Sequence, residues 1–387
     1  MITKAIPFNR PYLPGALPHL AWAIEQKHLS GNGSFTKKCH EYFHKSYHTD
    51  VLLTTSCTAA LEMSALLAPV ENEDEIIIPS FTFTSSANPF ILRGGKIVFA
   101  DTTENYPNLD VDQIEELITK KTKAIVCMHY AGVACDMEKL IQLAHKYRLV
   151  LIEDAAHALE ARFRDQPLGT FGRFGALSFH ETKNITSGKG GLLIMNHPQD
   201  MKRAHIVWEK GTNRVAFHRN ETDKYEWMDV GSSYLPSDLN AAVLYSQIEN
   251  VEDIQSQRVK IWYRYYYSLQ ILENRGDIQL PQIPDFANVN GHLFFLECDS
   301  LQTRNRLIKY LVNRGIQAVF HYLPLHQSPF FIDKHDGRIL DNTIRFSERI
   351  VRLPLYYELQ EDDQDYIIES IQNFYSCTST LSMTSSL

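Results

Sequence analysis

Short apolar runs alternate with helical patterns between residues 51 and 155, and this alternation restricts the possible folds more than any other feature of the chain. Each run has the length of a buried strand, and segments with helical periodicity separate the runs. The runs are Val51–Thr54, Glu75–Pro79, Lys96–Asp101, Ala124–His129 and Leu149–Asp154. The pattern predicts an α/β fold with a mostly parallel central sheet and helices on both faces. Ligands of such folds bind beyond the carboxyl ends of the strands.

Lys183 lies just after another apolar run, Phe174–Phe179, in a polar turn that leads through three glycines into a further apolar run, 192–195. A lysine at the mouth of a sheet can form a Schiff base with an aldehyde cofactor if burial and neighbours lower its pKa. Most lysines are instead solvated surface charges, so the lysine alone is weak evidence for this chemistry.

Thr58 and Ala59 stand where the first predicted strand gives way to a hydroxyl-rich turn and a helix over Ala59–Leu67. Free backbone N–H groups at the start of a helix, together with the helix dipole, form a phosphate site. The alternative is that Ser56 or Thr58 only caps the helix. The segment by itself leaves both interpretations open.

Asp154 closes the strand that begins at Leu149. A carboxylate there can pair with the protonated ring nitrogen of pyridoxal 5'-phosphate (PLP), which keeps this cofactor an electron sink. The alternative is a helix N-cap for Ala155–Leu159. Thr58, Asp154 and Lys183 together match the phosphate, ring nitrogen and aldehyde of PLP, and this combination favours the cofactor site.

Composition and charge exclude several other classes. The net charge of −8 argues against a broad nucleic-acid surface, and no apolar run is long enough to span a bilayer. The N-terminus lacks the apolar stretch of a signal peptide, and the six cysteines form no CxxC pair, which predicts reduced thiols in a cytoplasmic protein. His40, His44 and His48 share a helical face, but a polar face without metal is favoured there, so we predict no metal site.

Seven motifs, distributed over nearly the whole chain, resemble the DegT/StrS family of PLP-dependent sugar aminotransferases. They are Ser30–Gly33, Thr55–Leu61, Pro79–Phe83, His129–Gly132, Glu153–His157, Ser178–Asn184 and Arg352–Leu355. The resemblance implies fold type I, PLP as cofactor, and a homodimer with active sites at its interface. The prolines and glycine of residues 1–15 predict an extended arm, which opens a large PLP-binding domain over 1–250. A predicted strand over His292–Glu297 and a helix over Leu301–Asn313 indicate a small α+β domain over 251–375. We expect a disordered tail over 376–387 because it is rich in serine and threonine.

The resemblance also assigns roles to individual residues. Lys183 would be the Schiff-base lysine, and Asp154 would pair with the pyridinium. Phe83 and Ala156 would sandwich the ring. His157 stands where the family usually has a glutamine that bonds the ring phenolate oxygen. The residues that would hold the phosphate are Thr58, Ala59 and Ser178.

Further motifs resemble one branch of the family, whose enzymes make dTDP-4-amino-4,6-dideoxygalactose. They are Lys210–Arg214, Asp223–Trp227, Gly231–Asp238 and Phe320–His326. The resemblance implies a dTDP-keto sugar and L-glutamate as substrates. Leu235 stands where many members have an asparagine that contacts the partner's phosphate. The residues expected at the substrate are Arg214, Arg219, Lys224, His321, Tyr322 and His326.

Single positions of the sequence argue against several alternative functions. A non-catalytic relative, or a sugar dehydratase of the same family, would lack the lysine that this chain has at position 183. A nicotinamide oxidoreductase would need G-x-G-x-x-G after the first strand, where this chain has Ser56-Cys-Thr58. A family member that aminates another keto sugar remains the main alternative.

Overall fold

The structure is a computed structural model that describes residues 5–384, with the backbone alone described for 377–384. The strands are β1 (Asp50–Thr54), β2 (Glu75–Pro79), β3 (Lys96–Ala100), β4 (Thr122–Met128), β5 (Val150–Asp154), β6 (Arg162–Phe163), β7 (Gln166–Pro167), β8 (Phe174–Ser178), β9 (Gly191–Met195), β10 (Ile278–Gln279), β11 (Phe294–Cys298) and β12 (Ile350–Leu353). The helices are α1 (Ala16–Glu25), α2 (Ser34–Tyr47), α3 (Cys57–Leu67), α4 (Asn88–Ile91), α5 (Met137–Tyr147), α6 (Met201–Trp208), α7 (Arg214–His218), α8 (Asp238–Ile248), α9 (Val251–Asn274), α10 (Leu301–Asn313), α11 (Asp341–Arg349) and α12 (Glu361–Thr384).

Seven strands form the central sheet, in the order β1-β9-β8-β5-β4-β2-β3. The neighbours from β8 to β3 pair in parallel, whereas β9 runs antiparallel to both β1 and β8. The predicted α/β fold with a mostly parallel sheet is confirmed. The parallel arrangement brings the carboxyl ends of β1, β4, β5 and β8 to one edge of the sheet, which is where such folds bind ligands.

Helices cover both faces of this sheet, because its strands are apolar on both sides. Leu53 and Ile77 pack into the hydrophobic core on one face, and Leu52, Ile76 and Ile78 pack into the core on the other. Successive side chains of a strand point to opposite faces, which explains this division. Burial of each such side chain stabilises the fold by about 1.5–3 kcal/mol, so the edge that carries the polar residues is held rigidly.

A second, three-stranded antiparallel sheet, in the order β10-β11-β12, lies in the C-terminal part of the chain. Its core includes Trp262 and Tyr265 of the long helix α9 and Phe294 of β11. Only some of the tyrosines of α9 pack into this core, because Tyr263 and Tyr267 are exposed. The domain boundaries inferred from the sequence stay a prediction.

Two segments differ from the sequence-based expectation. The sequence predicts an α-helix over Asp112–Thr119, but this segment forms two 3-10 turns, Val111–Gln113 and Glu115–Leu117. The buried residues Val111 and Ile114 are three positions apart, which suits a turn of three residues.

The tail expected to be disordered over 376–387 is the second difference. Helix α12 continues through this segment as far as Thr384, since neither glycine nor proline interrupts it, and 385–387 lie outside the described residues. Within residues 5–384, no helix is both long and apolar enough to cross a membrane.

The N-terminal arm runs back across the second sheet region before α1 begins. Ile6 forms a parallel bridge with Ile316, through a hydrogen bond from its N–H to Gly315 O (2.8 Å) and one that it accepts from Gln317 N–H (3.0 Å). These bonds fix the next residues of the arm beside the carboxyl edge of the central sheet.

Candidate active site

A cavity of about 530 Å³ opens at the carboxyl edge of the central sheet. Most of the residues that the sequence predicts for the site line it. These are Thr58, Phe83, Asp154, Ala156, His157, Ser178, Lys183, His321 and Tyr322. Residues from distant parts of the sequence therefore meet in one place, as expected for strand ends that share an edge.

Lys183 stands in the turn between β8 and β9. Its N–H donates to His180 O (2.9 Å), and Ser187 N–H donates to Phe179 O (3.1 Å), so the turn is tied back onto the strand end. No described residue forms a hydrogen bond or ion pair with the Lys183 Nζ atom. Desolvation lowers the pKa of Lys183 to about 8, which makes the neutral, nucleophilic amine accessible near neutral pH.

Asp154 is buried at the end of β5, and both of its oxygens are bonded. Ser86 Oγ donates to Oδ2 (2.6 Å), and Ala156 N–H donates to Oδ1 (3.1 Å). Among the described residues, no α-helix begins directly after Asp154, where the next elements are β6 and β7, so the alternative of a helix N-cap for 155–159 fails. Burial raises the pKa of Asp154, as for a carboxylate kept from water until it receives a cationic partner.

The turn before α3 has the geometry of a phosphate site, with one correction. Ser56 is the N-cap of α3, and its Oγ accepts from Ala59 N–H (3.1 Å), so that N–H is not free to bind phosphate. The backbone N–H groups of Cys57 and Thr58 have no acceptor among the described residues. Thr58 Oγ1 bonds Ser85 Oγ (2.8 Å), and Cys57, Thr58 and Ser178 all line the cavity.

His157 is buried, and a backbone hydrogen bond determines which of its two ring nitrogens carries the proton. Ala131 N–H donates to Nδ1 (3.2 Å), so the neutral ring carries its proton on Nε2. Burial lowers the pKa of His157 well below its usual value, which keeps the ring neutral. His157 is thus a neutral hydrogen-bond donor in the cavity, the same kind of group as the glutamine amide that it replaces in the resemblance.

His321 and Tyr322 approach the cavity from the segment between α10 and α11, and their rings stack at 3.8 Å. Arg352 Nη1 donates to His321 Nε2 (2.7 Å), so the His321 proton is on Nδ1, which faces Tyr130 OH at 3.3 Å. Both nitrogens of this ring are therefore engaged within the protein.

Four predicted substrate residues lie outside this cavity. His326 is buried in a 3-10 turn, where its ring bonds Ser80 Oγ (2.7 Å), and it does not line the cavity. Arg214 donates from Nε to His218 Nε2 (3.2 Å), and Arg219 lines a separate cavity. Lys224 is exposed in the same segment. Within the described single chain, these three basic residues do not reach Lys183.

Sequence reasoning gave no site role to several residues that line the cavity. Chief among them are Phe8, His292 and Arg352. Arg352 stands in a motif that carries the family resemblance, and this motif was the one signal that could have led to it. Its guanidinium lies over the Phe8 ring at 4.6 Å, so the arm and β12 together form one side of the cavity. No local pattern marks Phe8 or His292.

Neither candidate metal cluster is suited to hold an ion. The ligand atoms of His40, His44 and His48 do not converge, and His40 Nε2 instead accepts from Leu53 N–H (2.8 Å).

Among the described residues, Cys127, His129 and Cys135 bring their ligand atoms within 4.8 Å of one another. Both His129 nitrogens are engaged, however, because Nδ1 accepts from Cys135 N–H (3.2 Å) and Nε2 lies 3.1 Å from a Glu153 oxygen.

The residues around the cavity fit PLP. Lys183 offers an amine without a partner among the described residues, and Asp154 offers a buried carboxylate for a ring cation. The start of α3 offers two N–H groups for a phosphate, and no described residue accepts a hydrogen bond from either. Phe83 and Ala156 flank the space between them as apolar surfaces.

Comparisons with known proteins agree with this chemistry. The model of the DegT/DnrJ/EryC1/StrS aminotransferase family matches residues 18–372. The chain is 31% identical to the spore coat polysaccharide biosynthesis protein SpsC of Bacillus subtilis over 82% of this chain and 83% of that protein. It is 28% identical to GDP-perosamine synthase of Escherichia coli O157:H7 over 96% and 99% of the two chains.

A solved structure, Spr1654 of Streptococcus pneumoniae in its PMP form, superposes with a TM-score of 0.90 at 25% identity, covering 98% of this chain and 100% of that one. The same protein has also been solved in a PLP form. Its two forms carry the aldehyde and amine states of the cofactor that the cavity residues fit. The chain thus belongs to the DegT/DnrJ/EryC1/StrS aminotransferase family and is a PLP-dependent sugar aminotransferase.

Proposed function

We propose that the enzyme moves the amino group of L-glutamate to C4 of dTDP-4-keto-6-deoxy-D-glucose and so makes dTDP-4-amino-4,6-dideoxy-D-galactose. The observation that carries the aminotransferase chemistry is the meeting of Lys183, Asp154 and the start of α3 around one cavity. The sugar is inferred from the motifs Lys210–Arg214 and Gly231–Asp238, which resemble one branch of the family. A role in surface polysaccharide synthesis is supported by the name of the B. subtilis relative.

PLP, when bound, supplies an aldehyde for the incoming amine and a ring that spreads the negative charge left when a proton departs from the donor carbon. Lys183 would hold the cofactor and then carry that proton between the donor carbon and the cofactor carbon. A lysine can do both, because its pKa of about 8 leaves roughly a tenth of it neutral at pH 7 and half of it neutral at pH 8.

Asp154 would pair with the ring nitrogen, and His157 would donate its Nε2 proton to the ring oxygen. Phe83 and Ala156 would enclose the two faces of the ring. Cys57 and Thr58 would bind the phosphate through their N–H groups, and the Ser178 side chain would complete this cradle. Each of the polar roles requires a hydrogen-bond donor or acceptor of the type that the cavity provides at that residue.

Arg352 is our candidate for the carboxylate of glutamate. Its guanidinium is buried at the cavity, and its Nε has no hydrogen-bond partner among the described residues. Arginine binds carboxylates with two parallel hydrogen bonds, and a buried cation gains most from such a partner.

We propose a homodimer in which segment 211–227 serves the partner subunit. Its basic side chains, Arg214, Arg219 and Lys224, would bind the nucleotide diphosphate in the neighbouring active site. Their distance from Lys183 within one chain is what this arrangement requires. A cytoplasmic location would suit the five described cysteines, which are all free and buried.

The alternative is a family member that aminates another keto sugar nucleotide, at C3 or at C4 with the equatorial configuration. The name of one relative, GDP-perosamine synthase, includes a different nucleotide. The alternative therefore covers the nucleotide that carries the sugar as well as the sugar itself.

The test is to incubate the PLP-loaded enzyme with glutamate and dTDP-4-keto-6-deoxyglucose, and to assign the product by NMR. An axial amine at C4 is expected. An equatorial C4 amine, or transfer only to a 3-keto or a GDP-linked sugar, would select the alternative. Transfer to no keto sugar would contradict the proposed substrate class.

A further inference from the structure

The cavity contains one hydrogen-bond acceptor that the chemistry above does not use. His292 is 4% exposed, it lines the cavity, and it precedes β11 in the second sheet region. Its Nδ1 lies 2.7 Å from Asn184 Oδ1, while no described residue bonds its Nε2. This nitrogen is not enclosed in the packed core but faces the cavity, so a bound substrate can reach it.

The orientation of the Asn184 amide decides which nitrogen of His292 carries the proton. Asn184 Nδ2 donates to the carbonyl oxygen of Asn290 (2.9 Å) and to Gln255 Oε1 (2.8 Å). A backbone carbonyl can only accept, so the amide nitrogen must face Asn290 and the amide oxygen must face His292. His292 therefore donates from Nδ1, and its Nε2 holds a bare lone pair.

The neighbouring ring, His157, carries its proton on the other nitrogen. His157 stacks on His292 with ring centroids 4.2 Å apart, and the His157 proton is on Nε2 because Ala131 N–H occupies Nδ1. Burial lowers the pKa of both rings well below the usual value, so both stay neutral. The cavity thus presents one neutral donor and one neutral acceptor side by side.

The chemistry of the two substrates decides what the lone pair binds. The carboxylates of glutamate accept hydrogen bonds and cannot serve it, and the nitrogen of glutamate is used at the cofactor. Phosphate oxygens at neutral pH are also mainly acceptors. Near the reacting carbon, the sugar hydroxyls are the substrate groups that can donate to a neutral imidazole nitrogen without being consumed by the reaction. The other donors of a dTDP-sugar, the thymine N3–H and the deoxyribose hydroxyl, lie beyond the diphosphate.

We propose that His292 Nε2 accepts a hydrogen bond from a hydroxyl of the acceptor sugar, and that this contact helps to determine which keto sugars are aminated. The inference rests on the proposed function, since it needs a keto sugar nucleotide as the second substrate. A buried acceptor left unpaired discriminates against a substrate without the matching hydroxyl. His292 is therefore a specificity-determining residue, and Asn184 positions it.

The first test compares the two halves of the reaction in His292→Phe, which keeps an aromatic ring against His157 but removes the acceptor. Single-turnover absorbance would follow the donor half with glutamate and, separately, the sugar half with the keto sugar nucleotide. We expect the sugar half to slow by about 10- to 100-fold and the donor half to stay unchanged. His292→Gln should restore part of the rate, because its amide can face Asn184 with nitrogen and the cavity with oxygen.

A matched control is His326→Phe, which also replaces a buried imidazole but lies outside the cavity, and both halves should keep their rates. Equal slowing of both halves in His292→Phe would overturn the proposal, since the acceptor would then serve the donor or the cofactor. An unchanged sugar half would overturn it as well.

Sugar analogues that lack one hydroxyl each identify the group that is bound. The native enzyme should lose about 10- to 100-fold in rate with one of these analogues, and His292→Phe should not distinguish that analogue from the full sugar. If the native enzyme and the variant lose the same factor with every analogue, no hydroxyl contacts His292.

The tautomer has a readout that needs no turnover. Long-range 1H–15N correlation of the histidine rings in the cofactor-free protein should show His292 protonated on Nδ1, and Asn184→Leu should disturb this signal while that of His326 remains unchanged. A His292 proton on Nε2 would contradict the inference. Failure of the proposed function has a different signature, because native enzyme would then complete the donor half and transfer to no keto sugar.

Discussion

The two sides of the cavity differ in how the chain builds them. One side, here called the cofactor wall, consists of Thr58, Asp154, Ser178 and Lys183 at the strand ends of the central sheet. The other side, the distal wall, consists of Phe8, His292, His321 and Arg352 from the arm and the second sheet region. The cofactor wall is fixed by sheet topology, whereas the distal wall depends on contacts between parts of the chain that are far apart in sequence.

The difference teaches that a site for a common cofactor and a site for a particular substrate follow different structural rules. The cofactor wall uses backbone N–H groups, one carboxylate and one lysine at strand ends. The distal wall uses two histidines, His292 and His321, whose tautomers are set by an asparagine and an arginine. Substitutions on the two walls should therefore fail in different ways, and the predictions below run from the largest expected effect to the smallest.

The largest effect is expected for Lys183→Ala on the cofactor wall. Purified native enzyme should be yellow with a visible Schiff-base band that borohydride removes. The variant should lose both this band and all turnover, because the other lysine that lines the cavity, Lys189, is exposed to solvent and does not stand at the Lys183 position. Lys202→Ala, an exposed lysine on α6, is the matched control and should behave as native. If Lys183→Ala is active, Lys183 is not the residue that forms the Schiff base with PLP.

Asp154→Asn should lower kcat by about 100- to 1000-fold, because a neutral amide no longer holds the ring nitrogen protonated. The absorbance of the bound cofactor should also change. Ser86→Ala removes only one of the two hydrogen-bond donors to Asp154, so its effect should have the same direction and a smaller size. If Asp154→Asn keeps native kcat, the carboxylate has a structural role only.

On the distal wall, Arg352→Gln should raise the KM for glutamate by about 10- to 100-fold while the cofactor band remains, because a charged hydrogen-bond pair is lost from substrate binding. Arg345→Gln, at an arginine paired with Glu297 outside the cavity, is the control. Loss of the band in Arg352→Gln would show that the two walls are not separable in function.

The smallest effect concerns pH. Because burial lowers the pKa of Lys183 from 10.5 to about 8, the reactive neutral amine of the cofactor-free enzyme increases as pH rises through 8. The rate of reaction with added PLP should rise by up to about tenfold per pH unit below that value and become constant above it. Stopped-flow absorbance measures this rate. A rise that continues to pH 10 would mean that Lys183 is solvated as an ordinary lysine.

The sequence allowed the central sheet and the cofactor wall to be predicted because both follow local patterns. Asp154 and Lys183 are marked by the apolar strands before them, and the start of α3 by its hydroxyl-rich turn. Ala59 was the exception, since the pattern cannot tell which N–H the Ser56 side chain takes.

The distal wall could not be predicted in the same way. Phe8 reaches the cavity only because Ile6 pairs with Ile316, and His292 acts only through the orientation of Asn184. His326 belongs to the same motif as His321, yet a 3-10 turn buries it against Ser80. These outcomes depend on long-range contacts and side-chain orientation, which no local spacing encodes.

The bridge between Ile6 and Ile316 also bears on the order in which the enzyme is made. During synthesis the ribosome releases every residue of the cofactor wall before it begins the second sheet region, so PLP could be recruited first. The arm, although it emerges before the central sheet, must wait for its partner about 310 residues later, and closing so long a loop is slow. We therefore expect the distal wall to form after the cofactor wall, when the arm meets the second sheet region.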